Sequence, residues 1–431
     1  MVTPASTAAA TASGPAAAPA MKVVQYRGYE LSVPASWPVY QLARDPDQCI
    51  RYDMHAVYLG TPGVNQICPP GLVGRTETVS IGGPAFQGKS SAVVVQRVPL
   101  AGQPAVILQD VRQHELAMTL STGSAPALTA TYGSDPGLAQ QVLASVHQMV
   151  SQRARRADPE PKPPATKVPA TPQSSPSPTG SAGTAGSPSP AASPPFTLTG
   201  PLAGFDTCTA PSLATMAAWR AKFAATAIYI GGEESACDYG NLTPKWIKAV
   251  EAMGWSLLPT YVGLQAPCGT FSANVSHTVA TAEAQGKTDA EWAVEDAHSF
   301  GLGKGTPIYD DMEAYNTTKP ACVEAVLTFL DAWTREIDSQ GYVSGVYSSA
   351  GSGILDLDTT STINGHPLAE PQSLWFALWD NDSDLNGSPY LTEDLWPPSR
   401  LSKQYLGTGW VTVGHTTLDV DLDLVNSATV R

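Results

Sequence analysis

Thr306-Pro307-Ile308-Tyr309-Asp310-Asp311-Met312-Glu313-Ala314-Tyr315 follows a Gly-Leu-Gly-Lys-Gly turn and begins as a short apolar run, which reads as a buried strand. The run ends in carboxylates. Strand side chains alternate between faces, so Asp311 and Glu313 project together while Asp310 and Met312 point the other way. Acids two residues apart on one strand face have Cα atoms roughly 6.6 Å apart, a spacing compatible with the carboxyl pair of glycoside hydrolysis. Taken alone, a D-x-E is more simply a solvated strand end or a salt-bridged pair, and what surrounds it decides.

Outward from this stretch, strand-like and helical runs alternate from Gly204 onward. Expected strands are Ala203–Asp206, Ala227–Ile230, Ser256–Val262, Pro307–Glu313, Val343–Ser348, Leu374–Trp379, Ser402–Leu406 and Thr417–Val425. Helices are expected near Ser212–Phe223 with Ser212 as N-cap, over Thr243–Met253 with Pro244 in its first turn, over Ala273–Phe300 with a break near Gly286, and over Ala321–Gln340. This order predicts an α/β fold with a (β/α)8 TIM-like barrel over 198–431. A doubly wound sheet is the alternative, but neither a G-x-G-x-x-G turn nor a P-loop favours it. In such a barrel the chemistry sits at the C-terminal strand ends. The residues there are Asp206, Tyr261, Gln265, Asp311, Glu313, Tyr347, Trp379, Asp380, Gln404, Tyr405, Asp419 and Asp421. Tyr261, Tyr347, Trp379 and Tyr405 would supply flat walls with hydrogen-bonding edges, a common way to grip sugar rings.

The remaining chain of 431 residues divides into a tail over 1–20, a small α+β or mostly β domain over 21–150, and a Pro/Ser/Ala-rich flexible linker over 151–197. In the domain, strands are expected at Val23–Tyr26, Tyr29–Val33, Ala56–Leu59, Ser91–Val98, Ala105–Gln109, Ala117–Leu120 and Leu128–Tyr132, then a helix over Leu138–Val150. Its His55 and His114 stand alone and read as structural, and the domain discloses no chemistry. From Gly204 onward 28 acids face 11 Lys and Arg, a net of −17, which argues against nucleic acid as a partner. No stretch is long and apolar enough to span a bilayer. The tail lacks the basic and Leu-rich segments of a standard signal peptide.

Six cysteines in even groups predict disulfides and an exported, secreted or cell-surface protein. Cys49 and Cys68 would pair in the first domain. Cys208, Cys237, Cys268 and Cys322 fall in the loops after the first four barrel strands; neighbour pairing gives Cys208–Cys237 and Cys268–Cys322, although four cysteines allow three connectivities. Their spacing suggests no zinc site.

Gly-Phe-Asp-Thr-Cys-x-Ala-Pro-Ser (204–212), Tyr-Ile-Gly-Gly (229–232), Pro-Thr-Tyr-Val-Gly-Leu-Gln (259–265), Tyr-Asp-Asp-Met-Glu-Ala-Tyr (309–315), Gly-Val-Tyr-Ser-Ser (345–349) and Trp-Phe-Ala-Leu-Trp-Asp (375–380) resemble, in order, the bacterial glycoside hydrolase-like TIM-barrel family. That family is of largely unassigned function and is related to the family 25 glycoside hydrolases, the lysozymes that cleave peptidoglycan. The resemblance covers about 204–431. It implies that Asp206 is the first-strand aspartate, Asp311 and Glu313 the fourth-strand pair, Gln404-Tyr405 the Gln-Tyr pair, and Asp419 or Asp421 the last-strand aspartate. It makes Glu313 the general acid and Asp311 a stabiliser of positive charge or an orienter of an N-acetyl group. Asp310 beside the pair and Trp379-Asp380 after the sixth strand depart from the lysozyme pattern.

The function so expected is a retaining glycoside hydrolase on cell-wall (peptidoglycan-like) or other N-acetylated glycans, needing no cofactor. A catalytically silent barrel that binds cell-wall glycan is the alternative. A third, weaker reading gives Asp206, Asp311, Asp380 and Asp421 a metal through oxygen ligation; no metal is assigned, and with no histidine at the C-terminal end of a strand zinc in particular is not expected. His277 and His298 read as surface residues of the long helix, and Ser348-Ser349 lacks the elbow glycines of a serine nucleophile.

Overall fold

The structure, a computed structural model, describes residues 19–83, 92–100, 103–119, 127–149, 200–386, 388–392 and 395–430. The expected linker, most of the expected tail, and Ser91, Leu120 and Val150 at the ends of expected elements lie outside the described residues.

Strands β1 (Met21–Tyr26), β2 (Tyr29–Pro34), β3 (Val39–Gln41), β4 (Ala56–Leu59), β5 (Thr78–Ile81), β6 (Val93–Leu100), β7 (Gln103–Asp110), β8 (Glu115–Thr119) and β9 (Leu128–Thr131), helix α1 (Gly137–Ala144) and strand β10 (His147–Gln148) form the N-terminal part. It is β-rich: a seven-stranded sheet in the order β3-β4-β5-β9-β8-β7-β6 and a three-stranded sheet β1-β2-β10. The helix expected to Val150 stops at its C-cap, Ser145. The Ser32 N–H donates to the Ser145 hydroxyl at 2.9 Å, and the chain then pairs with β2.

From Leu202 the elements are β11 (Leu202–Asp206), α2 (Leu213–Trp219), β12 (Ala225–Gly231), α3 (Pro244–Ala252), β13 (Ser256–Tyr261), α4 (Val279–Ser299), β14 (Pro307–Met312), α5 (Pro320–Ser339) and β15 (Val343–Ser349). A π-helical turn (Ala350–Ile354) leads into α6 (Leu355–Thr359), followed by a small hairpin, β16 (Thr362–Ile363) and β17 (His366–Pro367). Strands β18 (Ser373–Ala377), β19 (Leu401–Val413) and β20 (Thr416–Val425) finish the chain. Eight of these strands close a barrel, β11-β12-β13-β14-β15-β18-β19-β20. Ser212 and Thr243 cap α2 and α3 by accepting backbone N–H bonds from Thr215 and Trp246, as their positions suggest.

The structure departs from eight parallel strand–helix units at the end. Strand β20 runs antiparallel to both β19 and β11. The reason is local: Val413 pairs with Thr416 across Gly414-His415, and a two-residue turn can join only antiparallel neighbours. Helix α4 starts at Val279, not Ala273, and is unbroken at Gly286, so exposed His277 precedes it. That glycine is a close-approach point, since a Cβ there would lie 2.2 Å from the Phe329 carbonyl oxygen of α5.

Register separates two apolar layers. Ala225, Ala227, Leu258, Tyr309, Tyr347, Trp375 and Val425 fill the barrel interior. Phe205, Ile228, Ile230, Leu257, Ile308, Val346, Leu374 and Phe376 face the helices in a larger core. Among the described residues no helix is long and apolar enough to cross a membrane.

The N-terminal part is bolted to loops at one end of the barrel. Arg51 bridges Cys237, and Val73 bridges Ser235. The buried Arg75 guanidinium donates to the Ser235 carbonyl at 2.7 Å and to the Gln113 carbonyl. Glu234 accepts the Arg75 N–H at 2.9 Å and the Ser272 hydroxyl at 2.6 Å. Gln66 donates to the Asp238 carboxylate at 2.9 Å, and Arg112 pairs with Glu295 at 2.6 Å. The three disulfides are Cys49–Cys68, Cys208–Cys237 and Cys268–Cys322. The first two, one from each part, pack together with Leu72 against them.

Candidate active site

The barrel register decides which strand-end residues meet. Asp206 pairs with Asp421, Asp311 with Tyr347, and Ala377 with Gln404. Residues paired across a sheet share a face, so all of these lie on the inward side. Asp311 is buried in β14, and Glu313 follows two residues later, half-buried, at the strand's C-terminal end. As alternation requires, Asp310 leaves on the opposite, helix-facing side, where it is fully buried with neither carboxyl oxygen bonded among the described residues.

Hydrogen bonds tie the inward groups into one network. Gln404 Nε2 donates to Asp206 Oδ2 at 2.9 Å, and Tyr229 donates to Asp206 Oδ1 at 3.2 Å. Gln404 Oε1 accepts from Tyr347 at 3.0 Å and from Trp379 Nε1 at 2.8 Å. The Thr408 N–H donates to Asp421, and Trp375 Nε1 donates to Asp423 at 3.0 Å.

This concentration of buried acids shifts their protonation. Burial pushes Glu313 up to about 7; an Ala314 N–H bond opposes the rise and the nearby Asp206 charge adds to it. Burial also raises Asp206 to about 6 against the bonds from Gln404 and Tyr229, and Asp421 to about 8 with Asp206 contributing. Asp311 is held well above the ordinary carboxylate range by burial, then by Glu313, Asp310 and Asp206. Asp423 is raised likewise by burial, then by Asp206 and Asp421, and its hydrogen bond to Asp206 keeps its proton. Five acids so close share protons rather than titrate singly.

Not every residue expected at the mouth is there. Tyr261 pairs with Asp310 and faces the helices, fully buried, with its hydroxyl 3.4 Å from Glu233; it is not a sugar-facing wall. Gln265 is fully buried and its amide is committed to the backbone. It donates to the Asp311 carbonyl at 2.7 Å and accepts the Glu313 N–H at 2.9 Å. It therefore fixes the path of the acid-bearing strand instead of meeting a ligand. Asp380 is ion-paired with Lys403 at 2.9 Å, and Lys403 leaves β19 on the face opposite Gln404. Tyr405 is half-buried beside an irregularity in β19. Trp379 is 63% exposed, beside the site. Asp419 and Asp421 stand on the inward face of β20.

Two members of this network are not among the residues expected from the sequence. Tyr229 lies within the quoted Tyr-Ile-Gly-Gly, and Asp423 continues the D-x-D-x-D alternation begun by Asp419 and Asp421; both signals were present. Among the described residues, the only group of three or more His, Cys, Asp or Glu side chains with ligand atoms within 4.8 Å of one another is Cys49, Cys68 and Cys237, all in disulfides.

A closed α/β barrel whose strand ends gather carboxylates around one mouth defines a glycoside hydrolase-like domain. Residues 217–425 match the family model described as Rv2525c-like, glycoside hydrolase-like domain. Among solved structures the chain is similar to an uncharacterised protein of B. stearothermophilus (17% identity, 52% of this chain and 95% of the other, TM-score 0.35). It is also similar to a family 25 glycosyl hydrolase from Bacillus anthracis (14%, 52% and 88%, 0.33). A third is the Clostridium perfringens spore cortex lytic enzyme SleM (14%, 52% and 67%, 0.35). A search of curated proteins finds none that match the chain.

Proposed function

We propose that this protein is an exported glycoside hydrolase acting with retention on an N-acetylated, peptidoglycan-like glycan, on a (β/α)8-type barrel whose last unit is a hairpin. The observation that carries the reading is Glu313. It is half-buried at a strand end beside Asp206 and Asp311, with its proton retained to about 7. A proton donor for a glycosidic oxygen must be protonated near neutral pH, and burial beside like charges is how a carboxyl is kept so.

In this reading Glu313 protonates the leaving oxygen. Asp311 and Asp206 face the positive charge that develops at the sugar carbon. Gln404, Tyr347 and Trp379 orient the ring, and Gln265 holds the backbone of the pair in place. Three disulfides support an oxidising compartment.

The test is incubation of the full chain with purified peptidoglycan and with soluble N-acetylated oligosaccharides, reading new reducing ends. Turnover that disappears in Glu313→Gln, with glycan binding kept, supports the assignment. Binding without turnover in the parent protein supports the silent-barrel alternative, and turnover unchanged in Glu313→Gln removes Glu313 from its role.

A further inference from the structure

Strand β19 does not stop at the barrel rim. It pairs with β20 as far as Val413 and Thr416, beyond the last residues that β19 pairs with β18, at Gln404. The two strands therefore stand above the mouth as a hairpin with two different faces. Val411 and Val413 pack with buried Leu418 and Val420 on the helix-facing core. The other face continues the inward face of the barrel: Asp423 and Asp421 lie in the site, Asp419 comes next along the strand, and Trp410 is its direct cross-strand partner.

Trp410 is 63% exposed among the described residues, an unusual state for the largest apolar side chain. Beside it, Asp419 is only 7% exposed, yet its Oδ1 has no hydrogen-bond partner among the described residues. A buried acceptor without a donor is costly, and a ligand hydroxyl would satisfy it. An open indole face next to an unsatisfied carboxylate oxygen is the chemistry that takes a sugar ring, stacked on one side and hydrogen-bonded at its edge.

We infer that Trp410 and Asp419 form an outlying sugar-binding subsite, in line with the acids of the barrel mouth, so that the ligand is an extended chain of several sugars rather than a small glycoside. This rests on the glycan reading proposed above. Asp419 lies about 7 Å along the strand from Asp421 and Trp410 about 5 Å across the hairpin from Asp419, so the indole-bearing Cα stands roughly 9 Å from that of Asp421, outside the reach of a sugar seated at the acids alone. Gly71 of the N-terminal part also approaches this face: a Cβ there would stand 3.7 Å from Asp421 Oδ2, in ordinary contact with it. The net of −17 over this half favours a neutral chain over an anionic one.

The experiment uses the full chain carrying Glu313→Gln, so that ligand is not consumed. N-acetylglucosamine disaccharide and hexasaccharide are titrated calorimetrically into it and into versions that add Trp410→Ala or Trp410→Tyr. The inference expects tighter binding of the hexasaccharide than of the disaccharide. It expects Trp410→Ala to weaken the hexasaccharide about tenfold, Trp410→Tyr to restore most of that, and the disaccharide to be unaffected. Equal hexasaccharide affinity with and without the indole, or no preference for the longer chain, overturns the inference and leaves the glycan reading standing. No binding of either sugar overturns both. Trp410 is exposed, so a circular dichroism melt matching the parent confirms that the comparison is between folded proteins.

Discussion

Replacing Glu313 with Gln gives two measurements with opposite signs. Free glutamate titrates near 4.5, and in the folded protein burial holds Glu313 up to about 7. Folded protein therefore binds the proton more tightly than unfolded chain does. The associated stability is fully present below pH ~4.5 and is lost as pH rises through about 7, where the buried group must ionise. The interval between the two values corresponds to ~3 kcal/mol. Gln cannot ionise and keeps the shape, so Glu313→Gln should match the parent near pH 4 and exceed it above pH 8, with a melting temperature roughly 3–5 °C higher. Hydrolysis of glycan should fall by about 10²–10⁴-fold in the same protein, the ordinary worth of a general acid. Thermal melts in steps from pH 4 to 9, with reducing-end assays at each, check both. A stability difference independent of pH would refute the burial argument, and a higher melting point with undiminished turnover would refute the catalytic role.

Asp423→Asn should likewise stabilise the protein once pH rises past the raised pKa of the buried carboxyl but, by removing the proton-bearing neighbour of Asp206, also move the pH profile of turnover; an unmoved profile counts against the shared-proton network. Gln265→Ala frees the backbone at Asp311 and Glu313 and should lower kcat by about tenfold or more with little change in KM, read from steady-state kinetics. Gly71→Val places a side chain beside Asp421 at a backbone φ of +62° that favours glycine, and should raise KM for long glycans more than for short ones. Arg75→Ala leaves the Ser235 and Gln113 carbonyls without their buried donor and should cost ~1–3 kcal/mol in denaturant unfolding.

Much of this site is legible in the chain, because strand alternation is a local rule. It separates Asp310 from Asp311 and Glu313 before any tertiary structure is known, and it marks Asp419, Asp421 and Asp423 as one face. Tyr261 is the opposite case. Ser256–Tyr261 is buried on both faces and shows no alternation, so only its pairing with Asp310 reveals which side the tyrosine leaves. The hairpin was hidden for another reason. Gly407-Thr408-Gly409 reads as the end of a strand, but Thr408 adopts a φ of +48° and its N–H binds Asp421, so the strand passes through an irregularity and continues to Val413. Gln265 looked like a ligand group because a buried amide bonding to backbone and one reaching a sugar are identical in sequence.

The seam between the N-terminal part and the barrel changes what cutting the chain would do. Gln148 is paired with Tyr29 and Leu202 with Val425, so the segment between them leaves and re-enters a body already held together by Arg75, Gln66, Arg112 and two stacked disulfides. A protease that nicks between 150 and 199 should yield two fragments that still elute as one species and melt as one. Covalent continuity there is dispensable for the folded particle, because what crosses the seam is hydrogen bonds, ion pairs and packing, while each disulfide closes a loop within its own part.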